Sequence, residues 1–278
     1  MEKGVPVRVI SRTLDVLKKL NKHGNLTMIE ISRQCDLPYA TTTRIIQTLV
    51  HEGMVELVHE LKAYRPTSLV QMLSYGYQHK NAFAALARPH MINLTQKVGW
   101  PCVLCNRVAD SMVITDSTHS LTTMTLSEYH PGFAIPVWGT ASGMIYLTYC
   151  SEEEYEGLLQ VIRRNSETFR KNWMIDEAYL EGMREQTRKR GYATYAHTQH
   201  SLDPGKTSGM AVPLFHEGKL SATLALVFFS STYTTNQAAE KYLDDLMATR
   251  KSISGDLANL KSLEYKMMGF EMQQSPMN

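Results

Sequence analysis

The sequence predicts an α+β protein of two domains, and three observations carry the prediction. Its 278 residues are ample for two domains that each bury a core. The first part of the chain shows helical apolar spacing that gives way to two short strand-like runs. The larger remainder alternates strand-like and helix-like runs with hairpin turns between them, the pattern of an α+β fold. A composition of 43% hydrophobic and 20% charged residues excludes a disordered chain.

In VISRTLDVLKKLNKHG, Ile10, Leu14, Leu17 and Leu20 recur every three to four residues and Gly24 follows as a helix stop, which predicts a first amphipathic helix. Thr27 and Glu30 have capping-box spacing and open a short second helix, with Ile29, Ile31 and Met28 turned inward. Asp36 to Pro38 make a turn, and a third helix runs to about Glu52 and stops at Gly53. MVELVHELKAYRPTS then reads as two strands around a turn near His59 to Lys62. Helix, short helix, turn, helix and hairpin together describe a winged helix-turn-helix.

The third helix, within LPYATTTRIIQTLVHEG, contains three consecutive threonines although threonine is a mediocre helix former. At 100° per residue, Pro38, Ile45, Ile46, Leu49 and Val50 share one side and Thr42 falls among them. Thr42 is therefore expected to be buried. Ala40, Arg44, Gln47, Thr48 and His51 lie opposite, with Thr41 and Thr43 on the flanks and Tyr39 at the helix start. Short hydroxyl side chains suit a major-groove surface, because they bond phosphates or base edges and offer a methyl to thymine, while Arg44 adds charge. Arg33 at the end of the second helix and Lys62 and Arg65 on the wing are placed to meet phosphates. The charge distribution agrees: residues 1–80 carry 11 Lys and Arg against 7 Asp and Glu, whereas 81–278 carry 18 against 20.

Leu69, Met72, Leu73 and Tyr77 keep helical spacing through LVQMLSYGYQHKNAFAALARP, with no flexible Gly/Ser-rich stretch, so a stiff linker helix is expected over 68–80. Beyond it, Asn81 to Val98, Ser151 to Arg164, Asp176 to Arg190 and Thr235 to about Leu263 read as helices. VPLFHEGKLSATLALVFF reads as a hairpin turning at Glu217 and Gly218.

Cys35, Cys102, Cys105 and Cys150 are too few and scattered for a disulfide framework. Cys102 and Cys105 form a C-x-x-C within a strand-like run, where residues three apart face opposite ways and no second ligand pair has zinc spacing. Strand packing is the expected role; neither a metal nor a cofactor is anticipated. No segment has the length and apolarity of a signal or membrane span, so a cytoplasmic protein without a membrane partner is expected.

The series RTLDVLKKL, IEISRQCDLP, TTTRIIQTLVHEGMV and YRPTSLVQML resembles the DNA-binding domain of the IclR family of bacterial transcriptional regulators. PVWGTASGMIYLTYCSEEEYEGLL, RKRGYA and MAVPLFHEGKLSATLAL resemble that family's effector-binding domain in the same order, so the likeness spans nearly the whole chain. The resemblance implies a winged helix-turn-helix over 1–67, the linker helix over 68–80, and a GAF-like effector-binding domain over 81–278. It also implies a homodimer or homotetramer on double-stranded operator DNA, in a regulator of a catabolic operon.

In the family the T-A-S-G loop and helix help to close the effector pocket, which here brings in Thr140, Ala141, Ser142 and Gly143 beside Trp138. A helix N-terminus offers free N–H groups to a carboxylate. Members that sense small polar acids have a cysteine and two serines where this chain has Gly209, Ala225 and Val227. Without those anchors a larger, partly aromatic acid gains more from the lining. The run MAVPLF…LALVFFSSTYTTNQAAEKYL most resembles activators of phenylpropionate or hydroxyphenylpropionate catabolism. The expected effector is thus an aromatic carboxylic acid, its ring against Trp138, Met210, Ala225 and Val227 and its carboxylate near Thr140. A small aliphatic acid is the alternative. A hydrolase using Ser142 as nucleophile is disfavoured, since T-A-S-G is not the G-x-S-x-G elbow and no ordered triad accompanies it.

Overall fold

The computed structural model describes residues 5, 7–74, 82–125, 129–164, 176–197 and 206–273. The chain divides into two compact units, residues 1–81 and 82–278.

The first unit is built on α1 (Arg8–His23), α2 (Met28–Gln34) and α3 (Tyr39–His51). It is completed by a small antiparallel sheet of β1 (Leu26–Thr27), β2 (Val55–Val58) and β3 (Ala63–Pro66), in the order β1-β3-β2. The capping box at α2 is present: the Thr27 hydroxyl accepts from the Glu30 N–H, and Glu30 accepts from the Thr27 N–H at 2.8 Å. That reciprocal pair fixes where α2 starts and how it approaches α3. Val16, Leu20, Leu26, Ile31, Ile45, Ile46, Leu49 and Val55 form the core.

The expected inward faces need correction at several positions. In α1, Ile10 and Leu14 are exposed while Val16 and Leu20 carry the packing. In α2, Ile29 is exposed and Ile31 alone is fully buried. In α3, Pro38 and Val50 lie at the surface. A three-helix unit this small covers only a narrow stripe of each helix, so apolar residues at the edge of a stripe stay in water. Ser68–Gln71 form a 3-10 turn and 72–74 are helical; the rest of the expected linker helix, 75–80, falls outside the described residues.

The second unit is a six-stranded antiparallel sheet between two layers of helices. Its strands are β4 (Cys102–Val108), β5 (Ser111–Ser117), β6 (Ala134–Pro136), β7 (Ala193–Tyr195), β8 (Thr207–His216) and β9 (Lys219–Phe229), in the order β6-β5-β4-β9-β8-β7. The β8–β9 hairpin turns at Glu217 and Gly218, both at positive φ, which matches the twist of the flanking strands.

One face of the sheet packs on α4 (Ala82–Val98) and α8 (Thr235–Gln273), the latter running well past Leu263. The other face packs on α5 (Ala141–Tyr149), α6 (Glu152–Arg164) and α7 (Glu177–Arg190). Arg184 of α7 braces this second layer: its guanidinium, 4% exposed, meets Glu152 and Glu181 at 3.0 Å each and lies 3.6 Å from the centre of the Tyr155 ring. A buried cation is tolerated where two carboxylates and an aromatic face replace its water.

Strand alternation sends Cys102 into the α4/α8 core and Cys105 into the α5 core. The C-x-x-C is therefore split across the sheet. No cluster of metal-ligating side chains occurs among the described residues, and no helix among them is long and apolar enough to cross a membrane.

Candidate functional site

The first unit presents one contiguous polar face. Thr42 is 0% exposed and turns into the core with Ile45, Ile46 and Leu49, as the helical phase requires. Tyr39, Arg44, Gln47 and Thr48 are exposed, and Thr41 and Thr43 lie half-buried at the flanks. The Thr43 hydroxyl donates to the Tyr39 carbonyl and that of Thr48 to the Arg44 carbonyl, each at 2.9 Å. Spending their protons on the helix leaves both hydroxyls with only acceptor lone pairs to offer, and acceptors bond adenine or cytosine amino groups while a threonine methyl can pack on a thymine methyl. The three threonines are thus one core residue between two surface residues.

Arg33 is exposed in the last turn of α2. In the wing, Glu56 stands opposite Arg65 and pairs with it, carboxylate to guanidinium, at 2.6 Å. Lys62 sits at the tip with a left-handed backbone, its side chain in solvent. Among the described residues Lys62 makes no ion pair, while Glu56 holds back part of the charge of Arg65.

The second unit contains a cavity of about 510 Å³, its mouth included, between the sheet and the start of α5. Its floor is apolar: Val103 and Cys105 of β4, Met112 and Ile114 of β5, and Ala225 and Val227 of β9. Ile135, Gly139, Thr140, Ala141, Ser142, Tyr129, Tyr195, Thr207, Ser208 and Gly209 complete the lining, with the Tyr129 and Thr207 hydroxyls hydrogen-bonded to each other and the Ser208 hydroxyl accepting from the His197 N–H. No charged side chain lines it among the described residues.

Thr140 is the N-cap of α5 and accepts from the Gly143 N–H at 2.8 Å. The first helical N–H groups have no acceptor within the helix, and Ala141 and Ser142, the first two residues of α5, both line the cavity. Burial pushes the Cys105 thiol up to about 12, only partly opposed by hydrogen bonds from Ser142 and Thr223, so it stays a neutral apolar wall. No histidine or carboxylate lines the cavity among the described residues, so none of them stands beside Ser142 as a base.

Thr140, Ala141, Ser142, Ala225 and Val227 meet at the cavity, whereas three other expected contacts do not. Met210 faces the α4/α8 core, because it stands opposite Leu226 in the β8–β9 register while Gly209 stands opposite Val227. Trp138 is 5% exposed inside the α5 core and is absent from the cavity wall. Gly143 is a packing residue: a Cβ there would fall 1.5 Å from the Val137 carbonyl oxygen. Its N–H is already taken by Thr140. The residues that sequence reasoning missed are Val103, Cys105, Met112, Ile114, Tyr129, Ile135, Gly139, Tyr195, Thr207 and Ser208. Their only sequence signal was alternation in runs such as CVLCNRV and SMVIT, which assigns faces but not what lies over them.

Residues 9–59 match the IclR helix-turn-helix domain, and residues 76–255 match the C-terminal domain of the bacterial transcriptional regulator IclR. The transcriptional repressor IclR of Escherichia coli (strain K12) is 24% identical over 199 residues, which cover 70% of this chain and 71% of that protein. The Pca regulon regulatory protein of Pseudomonas putida is 21% identical over 253 residues, covering 89% of this chain and 83% of that protein. An IclR homologue from Microbacterium hydrocarbonoxydans, solved as a complex with 4-hydroxybenzoate, shares the fold with a TM-score of 0.66 at 19% identity, over 90% of this chain and 99% of its own. With both halves matched in order, the chain belongs to the IclR family of bacterial transcriptional regulators, DNA-binding proteins and not enzymes.

Proposed function

We propose that this regulator reads an operator duplex with Arg33, Tyr39, Thr41, Thr43, Arg44, Thr48, Lys62 and Arg65, and controls a catabolic operon in response to an aromatic carboxylic acid of the phenylpropanoid type. The observation that carries the ligand class is the pairing of an uncharged apolar floor with two N–H groups at the start of α5. A carboxylate is held by such N–H groups and by the N-terminal end of the helix dipole. A ring covering Val103, Met112, Ile114, Ala225 and Val227 gains about 25 cal/mol for each Å² of apolar surface removed from water. A two- or three-carbon acid gains little from that floor and finds no hydroxyl at positions 209, 225 and 227. The 4-hydroxybenzoate bound by the Microbacterium homologue supports the same ligand class. As a homodimer or homotetramer, the regulator would present its DNA-reading units in pairs to operator half-sites.

A thermal-shift panel of phenylpropionate, hydroxyphenylpropionates, benzoate, pyruvate and glyoxylate tests the reading, since a ligand of the native state raises apparent stability by mass action. Aromatic acids are expected to raise Tm and to change retention of double-stranded operator fragments. Stabilisation by pyruvate or glyoxylate alone would replace this reading with a small-acid sensor.

A further inference from the structure

A second cavity, of about 510 Å³ with its open mouth included, adjoins the first, and Cys105 and Met112 belong to the walls of both. These two side chains are the partition. On α5, Ser142 borders the first cavity and Tyr146, one turn on, borders the second. On β9 the wall passes from Ala225 to Thr223, and on β4 from Cys105 to Arg107. One helical turn or two strand residues is a step of roughly 6 Å, so the second cavity continues the same cleft by about the length of a benzene ring.

The chemistry of the continuation is different. Arg107 Nη2 lies 3.3 Å from Glu154 Oε1, and the Tyr146 hydroxyl donates to that oxygen at 2.6 Å. Glu154 Oε2 also accepts from the Ser151 N–H at 3.2 Å and from the Ser151 hydroxyl at 3.1 Å. Arg107 Nη1 donates to the Ala109 carbonyl and its guanidinium lies 5.1 Å from the centre of the Tyr146 ring, but Nη2 makes the longest of the Glu154 contacts and the side chain is 27% exposed, so a guest hydroxyl can compete for Nη2 while Glu154 keeps its other donors. The two charges cancel. The compartment is neutral overall, with a strong donor beside a strong acceptor. A group that both donates and accepts, such as a hydroxyl, can bond to both; a carboxylate meets the charge of Glu154, and an apolar end covers the pair without adding a hydrogen bond.

We propose that this compartment recognises a phenolic hydroxyl at the far end of the aromatic acid, with Met112 as the movable partition that admits it. The inference rests on the reading of the first cavity as an aromatic-acid site. Met112 suits the role because it is unbranched, has three rotatable side-chain bonds and holds no polar partner that would resist its movement.

Titration calorimetry on the full chain decides the matter, using 3-phenylpropionate, its 3- and 4-hydroxy derivatives and the 4-methyl derivative as an apolar isostere. The native protein is expected to prefer one hydroxy acid over the methyl acid by about tenfold or more. Arg107→Gln and Glu154→Gln should each bring that ratio close to one; the second keeps the capping geometry at Ser151, so its effect is not a loss of the helix. Met112→Ala should raise affinity for the hydroxy acid relative to phenylpropionate, since both lose the same ring contact and only the hydroxy acid needs the partition moved. If phenylpropionate binds but the native protein shows no hydroxyl preference, or the preference survives both variants, the second compartment is refuted and the aromatic-acid reading stands. If no aromatic acid binds at all, both fall.

Discussion

Replacing Gly143 with alanine tests how the start of α5 is positioned. Gly143 is the third residue of that helix, and its backbone lies directly on the turn formed by Val137–Gly139. A Cβ would stand 1.5 Å from the Val137 carbonyl oxygen and 2.5 Å from the carbonyl carbon. Ordinary Cβ contact begins at 3.4 Å, so the helix start must retreat by about 2 Å. No rotamer change relieves the clash, because the obstacle is main chain anchored by the buried Val137 and Trp138. Overpacking typically costs about 1–3 kcal/mol, and a backbone obstacle puts this substitution at the upper end or beyond. The retreat also carries the Ala141 and Ser142 N–H groups away from the cavity, so effector affinity should fall together with stability. Gly157 and Gly182 supply the control: both lie inside helices with nothing within 4 Å of a Cβ. Alanine there should stabilise by up to about 1 kcal/mol. All three tryptophans, at 100, 138 and 173, lie in residues 82–278, so fluorescence-monitored urea unfolding of the full chain reports on this unit. With a slope of about 1–3 kcal/mol per molar urea, a loss of about 3 kcal/mol lowers the midpoint by roughly 1 M or more. A native midpoint and native ligand affinity in Gly143→Ala would refute the close-packing argument.

The other predictions concern the DNA face and the cavity floor. Arg44→Ala should weaken specific duplex binding by on the order of 1–3 kcal/mol without moving Tm. Thr42→Val should leave binding intact, because the hydrogen bond its hydroxyl donates to the Pro38 carbonyl is 3.3 Å long; lost operator binding with an intact fold would refute the helix phase. Lys62→Ala should lower the magnitude of the salt slope by about 0.9, and Glu56→Gln should raise it by releasing Arg65. Electrophoretic mobility shifts at several salt concentrations check both. Ala225→Ser should move ligand preference toward smaller, more polar acids, since a ring covering an unpaired hydroxyl costs about 1–3 kcal/mol, as a competition titration would show.

How much of this was legible in the sequence depends on the periodicity of each element. The phase of α3 was readable because its buried set is narrow and its outer face polar, so Thr42 had only one place to go. The Thr27 and Glu30 capping box and the Glu217 and Gly218 turn were readable because each is a local geometry that few residues satisfy. The face of Met210 was not. β8 is covered on both sides, so Met210, Ala211 and Val212 are all fully buried and their hydrophobicity carries no parity; only the pairing with β9 assigns it. Ile10, Leu14 and Ile29 failed for the opposite reason, since an apolar residue at helical spacing says nothing about whether another element covers it. The floor residues Met112 and Ile114 reach Ala225 only through β4 lying between β5 and β9, a long-range pairing that no local pattern encodes.

The most direct test of the account is calorimetric titration of the intact 278-residue chain with phenylpropionate, its hydroxy derivatives, benzoate, pyruvate and glyoxylate at one salt concentration. The account predicts that one of the aromatic acids binds at one molecule per chain, while pyruvate and glyoxylate give no measurable heat. Tight binding of pyruvate or glyoxylate, with no response to any aromatic acid, would contradict it.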